Sequence, residues 1–494
     1  MNRLFALTLA SLCSFSGAVQ ASSAQCDWTM VNKDLNNTRS SSCTSITFSD
    51  VKNGLVVPQW SREGAAVQAP VVARNGIIYY GDTAGNFFAV DSVTGQTLSS
   101  YLFPEGESVN GPAIVTDSTV YATTVSVNNL RLYAFDHDLM LLAGFNGGQP
   151  VEVDPGHTGE EANILAAPLL IENFVVVATS NSTAEETTNP TPAYRGGFHA
   201  FDATTGANIW RTAVSPANSG YGASGGSWST AAVDTNLKLM FVGTTNATTP
   251  PAGPHTDALL AIDYTTGVVK WAQQYTKDDV WSFKYASGGN YDMGACPNLF
   301  IAGGLKQKEV VGCGSKAGIY RVFERKSGKP VWATLMIPHD ALPSIDGNPS
   351  AAIANNSVYT VANSDTSGVS YGALTILAQN GLKAGNFDAI NQLLHYLAHT
   401  DQTYISALDA RSGKLKWSNT RVSATLASIT EANGVLYTGN FVGDFRGLDA
   451  HTGEEFVIAN LGGAIGAPIT VAGNQLFLSV GLGGSGGLHC FHKP

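Results

Sequence analysis

The sequence predicts an all-β protein: an eight-bladed β-propeller of four-stranded blades with a helical loop insert in the sixth blade. Three observations carry the prediction. The chain has 53 glycines and only 13% charged residues among many short β-branched and aromatic runs, a balance that favours short strands and turns over helices. A unit of sequence recurs along most of its length. The last copy of that unit stops midway, so a strand from elsewhere has to complete it.

The unit is an apolar run, a second run ending in an apolar residue and Asp, then Thr-Gly or Ser-Gly, then an aromatic residue. It appears at Asp91 with Thr94-Gly95, at Asp202 with Thr205-Gly206 and Trp210, and at Asp263 with Thr266-Gly267 and Trp271. It returns at Glu324 with Ser327-Gly328 and Trp332, at Asp409 with Ser412-Gly413 and Trp417, and at Asp449 with Thr452-Gly453. A degenerate copy at Phe135-Asp136 lacks the Thr-Gly. The carboxylate suits a turn because it accepts backbone N–H groups, and the glycine takes a positive φ there. The Trp that follows is large and flat enough to dock between neighbouring sheets.

Runs such as 76–80, 239–242, 435–437 and 475–478 read as the inner strands, eight in all. The final unit, Leu488-His489-Cys490-Phe491, has neither Thr-Gly nor Trp. The segment around Trp28 or Trp60 is expected to supply its missing strand, which joins the chain ends and removes exposed sheet edges. Asp409 follows Glu324 by 85 positions, against 40 to 66 for most of the series. The excess includes residues 386–397, whose apolar positions recur at helical spacing. Loops of this kind often rim a site.

The first residues read as an address. Arg3, the mostly apolar run Leu4 to Leu12 and Val19-Gln20-Ala21 have the layout of a cleaved secretory signal. The expected division is therefore a signal over 1–21 and a propeller over 22–494, exported to the periplasm. A net charge of −11 without a basic cluster argues against nucleic acid or an anionic membrane as partner. Five cysteines remain after the signal, and no C-x-x-C-H haem-attachment motif occurs.

Four places interrupt the repeat with residues suited to chemistry. Phe241-Val242-Gly243-Thr244-Thr245-Asn246 ends a strand on an Asn, with Trp228 eighteen positions earlier. Asn290-Tyr291-Asp292-Met293-Gly294 puts a carboxylate just ahead of a strand. Gly312-Cys313-Gly314-Ser315-Lys316-Ala317-Gly318 places a lysine at a strand end that faces the central channel. Ala184-Glu185-Glu186 precedes Tyr194-Arg195-Gly196-Gly197. Taken singly, the Asn, Asp and Lys each have a plain structural alternative as turn residues.

These motifs, with the opening Trp28 to Arg39 and the closing Leu478-Ser479-Val480-Gly481, resemble the pyrroloquinoline quinone (PQQ)-dependent quinoprotein alcohol dehydrogenases. The likeness is to the polyvinyl-alcohol-dehydrogenase-like branch that lacks a fused cytochrome. The resemblance implies PQQ and one calcium ion as cofactors. It implies that Asn246 gives calcium a carbonyl oxygen, that Glu185 or its neighbour Glu186 chelates the ion, and that Asp292 lies beside it. Trp228 would form a flat floor under the quinone, Lys316 would hydrogen-bond the quinone oxygens, and Asp292 would be the general base. Electrons would pass to an external c-type cytochrome.

This chain departs from the pattern in three places. Trp281 is followed by Ser282 rather than Asp, which leaves Asp278 and Asp279 open as alternatives to Asp292. Gly294 stands where lanthanide-using relatives carry a second Asp, which favours calcium. The vicinal Cys-Cys pair of primary-alcohol enzymes is absent, which argues against methanol and leaves a secondary, polymeric alcohol within the expectation. The run Asn298 to Val311 reads as a hairpin about Leu305 that sets Ile301 opposite Glu309. That register predicts a disulfide between Cys296 and Cys313, and Cys26 is expected to pair with Cys43. The rival reading is a non-catalytic propeller scaffold of the outer-membrane assembly type.

Overall fold

The turn chemistry of the repeat sets the frame. In the computed structural model, Asp91 Oδ1 accepts the Val93 and Thr94 amides at 3.0 and 2.7 Å, and Asp202, Asp409 and Asp449 hold their own turns likewise. Each such turn links the third strand of an antiparallel sheet to its fourth. The structure describes residues 26–157, 162–180, 194–282, 285, 289–304, 306–338, 342–343, 349–365, 402–481 and 485–494. The expected signal over 1–21, the expected helix over 386–397 and Glu185 with Glu186 lie outside those residues.

Eight sheets form the blades. Blade 1 runs Val72–Arg74, Ile77–Gly81, Asn86–Asp91 and Thr97–Leu102. Blades 2, 3, 6 and 7 span 114–152, 169–213, 352–422 and 430–460. Blade 4 is Ala232–Asp234, Leu239–Gly243, Ala258–Asp263 and Val269–Gln274. Blade 5 is Asn298–Ala302, Lys308–Gly314, Ile319–Glu324 and Pro330–Leu335. The runs read from sequence as inner strands are thus the second strands. The innermost ones are shorter segments just ahead of them, too brief to leave a periodic signal.

Blade 8 closes the ring. Its own strands are Thr470–Ala472, Gln475–Val480 and Ser485–His492, and Val57–Ala65 adds the fourth, pairing antiparallel with the last. Trp60, not Trp28, sits on that strand. Trp28 instead bridges Ala73 of blade 1 and opens a segment that circles the hub. Thr29 O accepts the Val115 amide, Leu35 O that of Val233, Asn36 O that of Leu299 and Thr38 O that of Ile353. Ser40–Ser41 then pairs parallel with Glu431 and Ala432, so this one segment ties together the innermost strands of six blades. Cys26 and Cys43 form a disulfide that clasps its two ends.

The Trp of the repeat joins blade to blade. Trp60, Trp210, Trp271, Trp332 and Trp417 each donate the indole N–H, at 2.9 to 3.2 Å, to the carbonyl just past the turn Asp or Glu of the next blade. Their rings lie flat on the turn glycines. A Cβ built on Gly413 would stand 2.5 Å from Trp332. The glycine is therefore required twice, by its φ of +71° and by the indole against it.

The expected Cys296–Cys313 disulfide is not formed; both are buried free thiols. The hairpin register is as anticipated, with Ile301 opposite Glu309 and Asn298 opposite Gly312. The pairing, however, begins only at Asn298. Pro297 turns the chain away before it, and Cys296 faces the hub while the Cys313 thiol points at Ala295 O, 3.3 Å away.

Gly413→Ala should lower the melting temperature clearly more than Gly54→Ala. Both glycines have positive φ, but a Cβ at Gly54 meets nothing within 4 Å. The difference isolates the clash with Trp332 and should be about 1–3 kcal/mol. Equal effects in thermal denaturation would remove the docked indole from the account.

Candidate functional site

Blades 4 and 5 contribute the loops of the site. In blade 4, residues 224–229 lead into the innermost strand and carry Trp228, while Asn246 follows the second strand. In blade 5, residues 290–296 lead into the innermost strand and carry Asp292, while Lys316 occupies the turn after the second strand. The loops are stitched together through their backbones. The Met293 amide donates to Thr244 O at 3.1 Å, the Lys316 amide to Asp292 O at 3.0 Å, and the Gly225 amide to Asn246 O at 3.1 Å.

Lys316 and Asp292 meet as a buried ion pair, Nζ to Oδ1 2.8 Å, with side chains 10% and 4% exposed. The same ammonium lies 3.3 Å from Asn290 Oδ1 and 5.4 Å from the centre of a Trp228 ring. One cation thus touches an acid, an amide and the face of an indole. A charge so placed is stable only because its partner is beside it.

Gly294 makes room for that indole, since a Cβ there would fall 2.3 Å from Trp228. An Asp at 294 would collide with the ring. Gly226 and Gly196 allow a second close approach, where a Cβ on Gly196 would lie 2.6 Å from the Gly226 Cα. That contact holds blade 3 against the loop that carries Trp228. Arg195 fixes the outer side of this loop system through Ser215 O and Gly222 O at 2.8 and 2.9 Å.

Asn246 is fully buried, and its amide has a fixed sense. Nδ2 donates to Trp281 O at 2.8 Å and to Ala247 O at 3.1 Å, while Oδ1 accepts no hydrogen bond. A buried carbonyl oxygen left in that state is costly in a protein interior and is a good donor for a hard cation. Among the described residues no three His, Cys, Asp or Glu side chains are arranged to hold a metal ion. A cation beside Asn246 would therefore be held by a mixed set of oxygens.

The alternatives to Asp292 are placed differently. Asp279 is buried and spends both oxygens on backbone, Oδ2 on the Tyr291 amide at 2.7 Å and Oδ1 on the Asn290 amide at 3.3 Å. Burial pushes its carboxyl above the ordinary value against those two amides, with the charge of Asp292 adding to the rise. It acts as a clamp that sets the segment carrying Asp292. Asp278 is exposed in a turn with φ +57°. Sequence reasoning missed Asn290, which lies two residues from Asp292 and looks like any turn Asn until its contact with Lys316 is seen.

Residues 28–346 match the family described as glucose/ethanol/alcohol dehydrogenase, β-propeller domain, with PQQ as its label. A polyvinylalcohol dehydrogenase of Pseudomonas sp is 25% identical over 303 residues, 57% of this chain and 44% of that protein. A quinohemoprotein alcohol dehydrogenase of Comamonas testosteroni is 24% identical over 347 residues, 63% of this chain and 47% of that one. The chain thus spans about half the length of these curated relatives. The crystal structure of the quinohemoprotein alcohol dehydrogenase from Comamonas testosteroni superposes with a TM-score of 0.73 at 20% identity, covering 94% of this chain and 80% of that one.

Lys316→Met should destabilise the cofactor-free protein by about 3–5 kcal/mol, because it leaves the Asp292 carboxylate buried without its cation. The double variant Lys316→Met/Asp292→Asn should regain at least half of the loss. Chemical denaturation reads both, and a single variant as stable as the wild type would contradict the buried pair.

Proposed function

Since the chain belongs to the PQQ-type glucose, ethanol and alcohol dehydrogenase β-propeller family, we propose that it oxidises an alcohol to the carbonyl compound at the junction of blades 4 and 5. The single observation that carries the reading is the grouping of buried Asn246, Asp292 and Lys316 with the half-buried Trp228 on adjoining loops of blades 4 and 5. A non-catalytic scaffold would have no reason to bury an ion pair against an indole ring and leave the Asn246 carbonyl oxygen bare on an adjoining loop.

When bound, PQQ supplies the acceptance of two electrons that no side chain offers. The residues present suit such a group. Trp228 offers a flat face for the ring system, cleared at its edge by Gly294. Lys316 carries donors for the quinone oxygens and lies against the same indole. Asn246 Oδ1 and a carboxylate from Glu185 or Glu186 would hold calcium, with Asp292 close by. Asp292 takes the proton from the substrate hydroxyl as general base while the carbinol C–H bond breaks. Asp279 keeps the base in position by fixing the two residues before it.

We assign a secondary alcohol as substrate, including secondary hydroxyls along a polymer, and an external c-type cytochrome as electron acceptor. The names of the relatives support the substrate class. The periplasm suits the Cys26–Cys43 disulfide, which forms in oxidising compartments. No helix among the described residues is long and apolar enough to cross a membrane.

Dye-linked alcohol oxidation by protein loaded with PQQ and calcium tests the roles. Asp292→Asn should lose about 10²–10⁴-fold in rate with PQQ still bound, as expected for removal of a general base. If Asp279→Asn abolishes turnover and Asp292→Asn leaves it intact, the base is misassigned. Asn246→Ala should weaken PQQ uptake in the presence of calcium. Uptake by the wild type that a calcium chelator does not alter would refute the metal.

A further inference from the structure

The strand that closes the ring departs from its counterparts at one position. Trp60, Arg62 and Gly64 alternate along Val57–Ala65 and so face blade 1 together. In the strands of Trp210, Trp332 and Trp417, the residue two beyond the Trp secures the docked turn. Thr212, Thr334 and Asn419 donate to Gly267 O, Gly413 O and Gly453 O at 2.6, 2.7 and 2.9 Å, and Arg62 Nη1 does the same to Gly95 O at 2.8 Å. The residue four beyond the Trp then fills the gap between blades. Val214 and Met336 are buried there, Tyr275 reaches Cys313 O of blade 5 at 3.1 Å, and Arg421 pairs with Glu455 of blade 7. In blade 8 that position is Gly64, which is exposed, and a Cβ on it would meet nothing within 4 Å.

A cavity of about 400 Å³ stands where this side chain is missing, between blades 8 and 1. Arg62 Nε donates to Tyr80 Oη at 2.8 Å, and its guanidinium lies 5.1 Å from the centre of the Phe88 ring. Its Nη2 has no partner among the described residues. Tyr80, having accepted from Arg62, still has its own proton to donate. Asp82 holds Asn86, with Oδ1 and Oδ2 accepting from Asn86 Nδ2 at 3.2 and 2.9 Å. The sense of that amide is thereby fixed, and its carbonyl oxygen is left as an acceptor. Tyr80 and Phe88, with ring centres 5.2 Å apart, add an apolar wall beside these groups. Glu63 alternates to the other side of its strand, where its carboxylate lies 3.8 Å from His489. The Arg62 cation and the Asp82 carboxylate therefore balance, and the cavity offers donors, an acceptor and apolar surface without net charge.

Asp82 and Asn86 lie at the connection between the second and third strands of blade 1. The same connection carries Asn246 in blade 4 and Lys316 in blade 5, so the cavity opens on the face of the propeller that holds the candidate site. The two places are four blades apart, and only an extended molecule reaches both. We propose that this cavity is a second binding subsite, which takes hydroxyl-bearing units of a neutral polymeric alcohol while another unit of the same chain occupies the site at blades 4 and 5. A chain that alternates methylene and carbinol carbons presents hydroxyls for Arg62, Tyr80 and Asn86 and apolar stretches for the Tyr80–Phe88 wall. An acidic chain gains nothing from Arg62 that Asp82 does not take back. The polymeric substrate rests on the function proposed above, whereas binding in the cavity is read separately in the full chain without cofactor.

Calorimetric titration of the cofactor-free protein with a vinyl alcohol oligomer is the first readout. The wild type should bind it, and Gly64→Met and Arg62→Thr should each weaken binding at least about tenfold, the weight of one charge-assisted hydrogen bond. Gly64→Met brings in the side chain that Met336 supplies at the equivalent gap, and Arg62→Thr keeps a hydroxyl for Gly95 O, as Thr212 does for Gly267 O. If one variant fails to fold, the other decides the point. A wild type that does not bind, variants that bind as tightly as wild type, or equal binding of polyacrylate would each overturn the subsite. Steady-state kinetics of the loaded enzyme is the second readout. Gly64→Met should raise KM for the oligomer by a similar factor while kcat and the KM for isopropanol stay unchanged. An unchanged KM for the oligomer would overturn the subsite. Oligomer binding that the variants weaken, in a protein that oxidises no alcohol, would support the subsite and count against the function proposed above.

Discussion

The docking of an outer-strand indole onto the glycine turn of the next blade is the interaction on which the rest of the structure depends. It fixes the distance and angle between neighbouring sheets at five of the eight junctions. With the angle fixed, the innermost strands converge on a narrow hub, and only short segments fit there. The loops entering those strands are then forced together at one end of the channel. A site assembled from two blades is a consequence of closing the ring.

The hub shows how such a centre is held. Hydrogen bonds from small polar side chains run between innermost strands, as from Ser229 Oγ to Ala295 O at 3.1 Å, from Thr430 Oγ1 to Ile469 O at 2.7 Å and from Thr470 Oγ1 to Val71 O at 2.7 Å. The segment from Trp28 to Ser41 overlies the same strands and adds its own backbone bonds. Charge in this region is compensated where Lys316 meets Asp292, Nζ to Oδ1 2.8 Å. That pair gives up some stability, since apolar side chains of equal volume would pack at lower cost, and it supplies polar atoms at a defined place.

The repeat made the architecture legible because its turn is a local signal. Asp, Thr and Gly at fixed offsets describe one hydrogen-bonded bend, and a Trp four residues on must find a neighbour. The strand that closes the ring was legible only as a need: Trp60 and Trp28 were equivalent candidates in sequence, and register against the last strand separates them. Inner strands were misread as the longer second strands because two or three residues carry no periodicity. The Cys296–Cys313 bridge failed for a similar reason. Register within the hairpin was readable, but the turn of the chain at Pro297, just ahead of the first paired residue Asn298, was not. Asn246, Trp228, Asp292 and Lys316 were picked out as breaks in the repeat, and the structure gathers them at adjoining loops of blades 4 and 5. The clamp by Asp279 and the contact of Asn290 with Lys316 depend on loop geometry that spacing does not encode.

The central claim is that Trp228, Asn246, Asp292 and Lys316 together form a quinone and calcium site between blades 4 and 5. A crystal structure of the protein loaded with PQQ and calcium tests it most directly. The account predicts a planar density lying on the Trp228 ring, Lys316 Nζ within hydrogen-bond distance of a quinone oxygen, and Asn246 Oδ1 at about 2.3–2.6 Å from the metal. A quinone bound elsewhere, or an Asn246 carbonyl turned away from the ion, would contradict it.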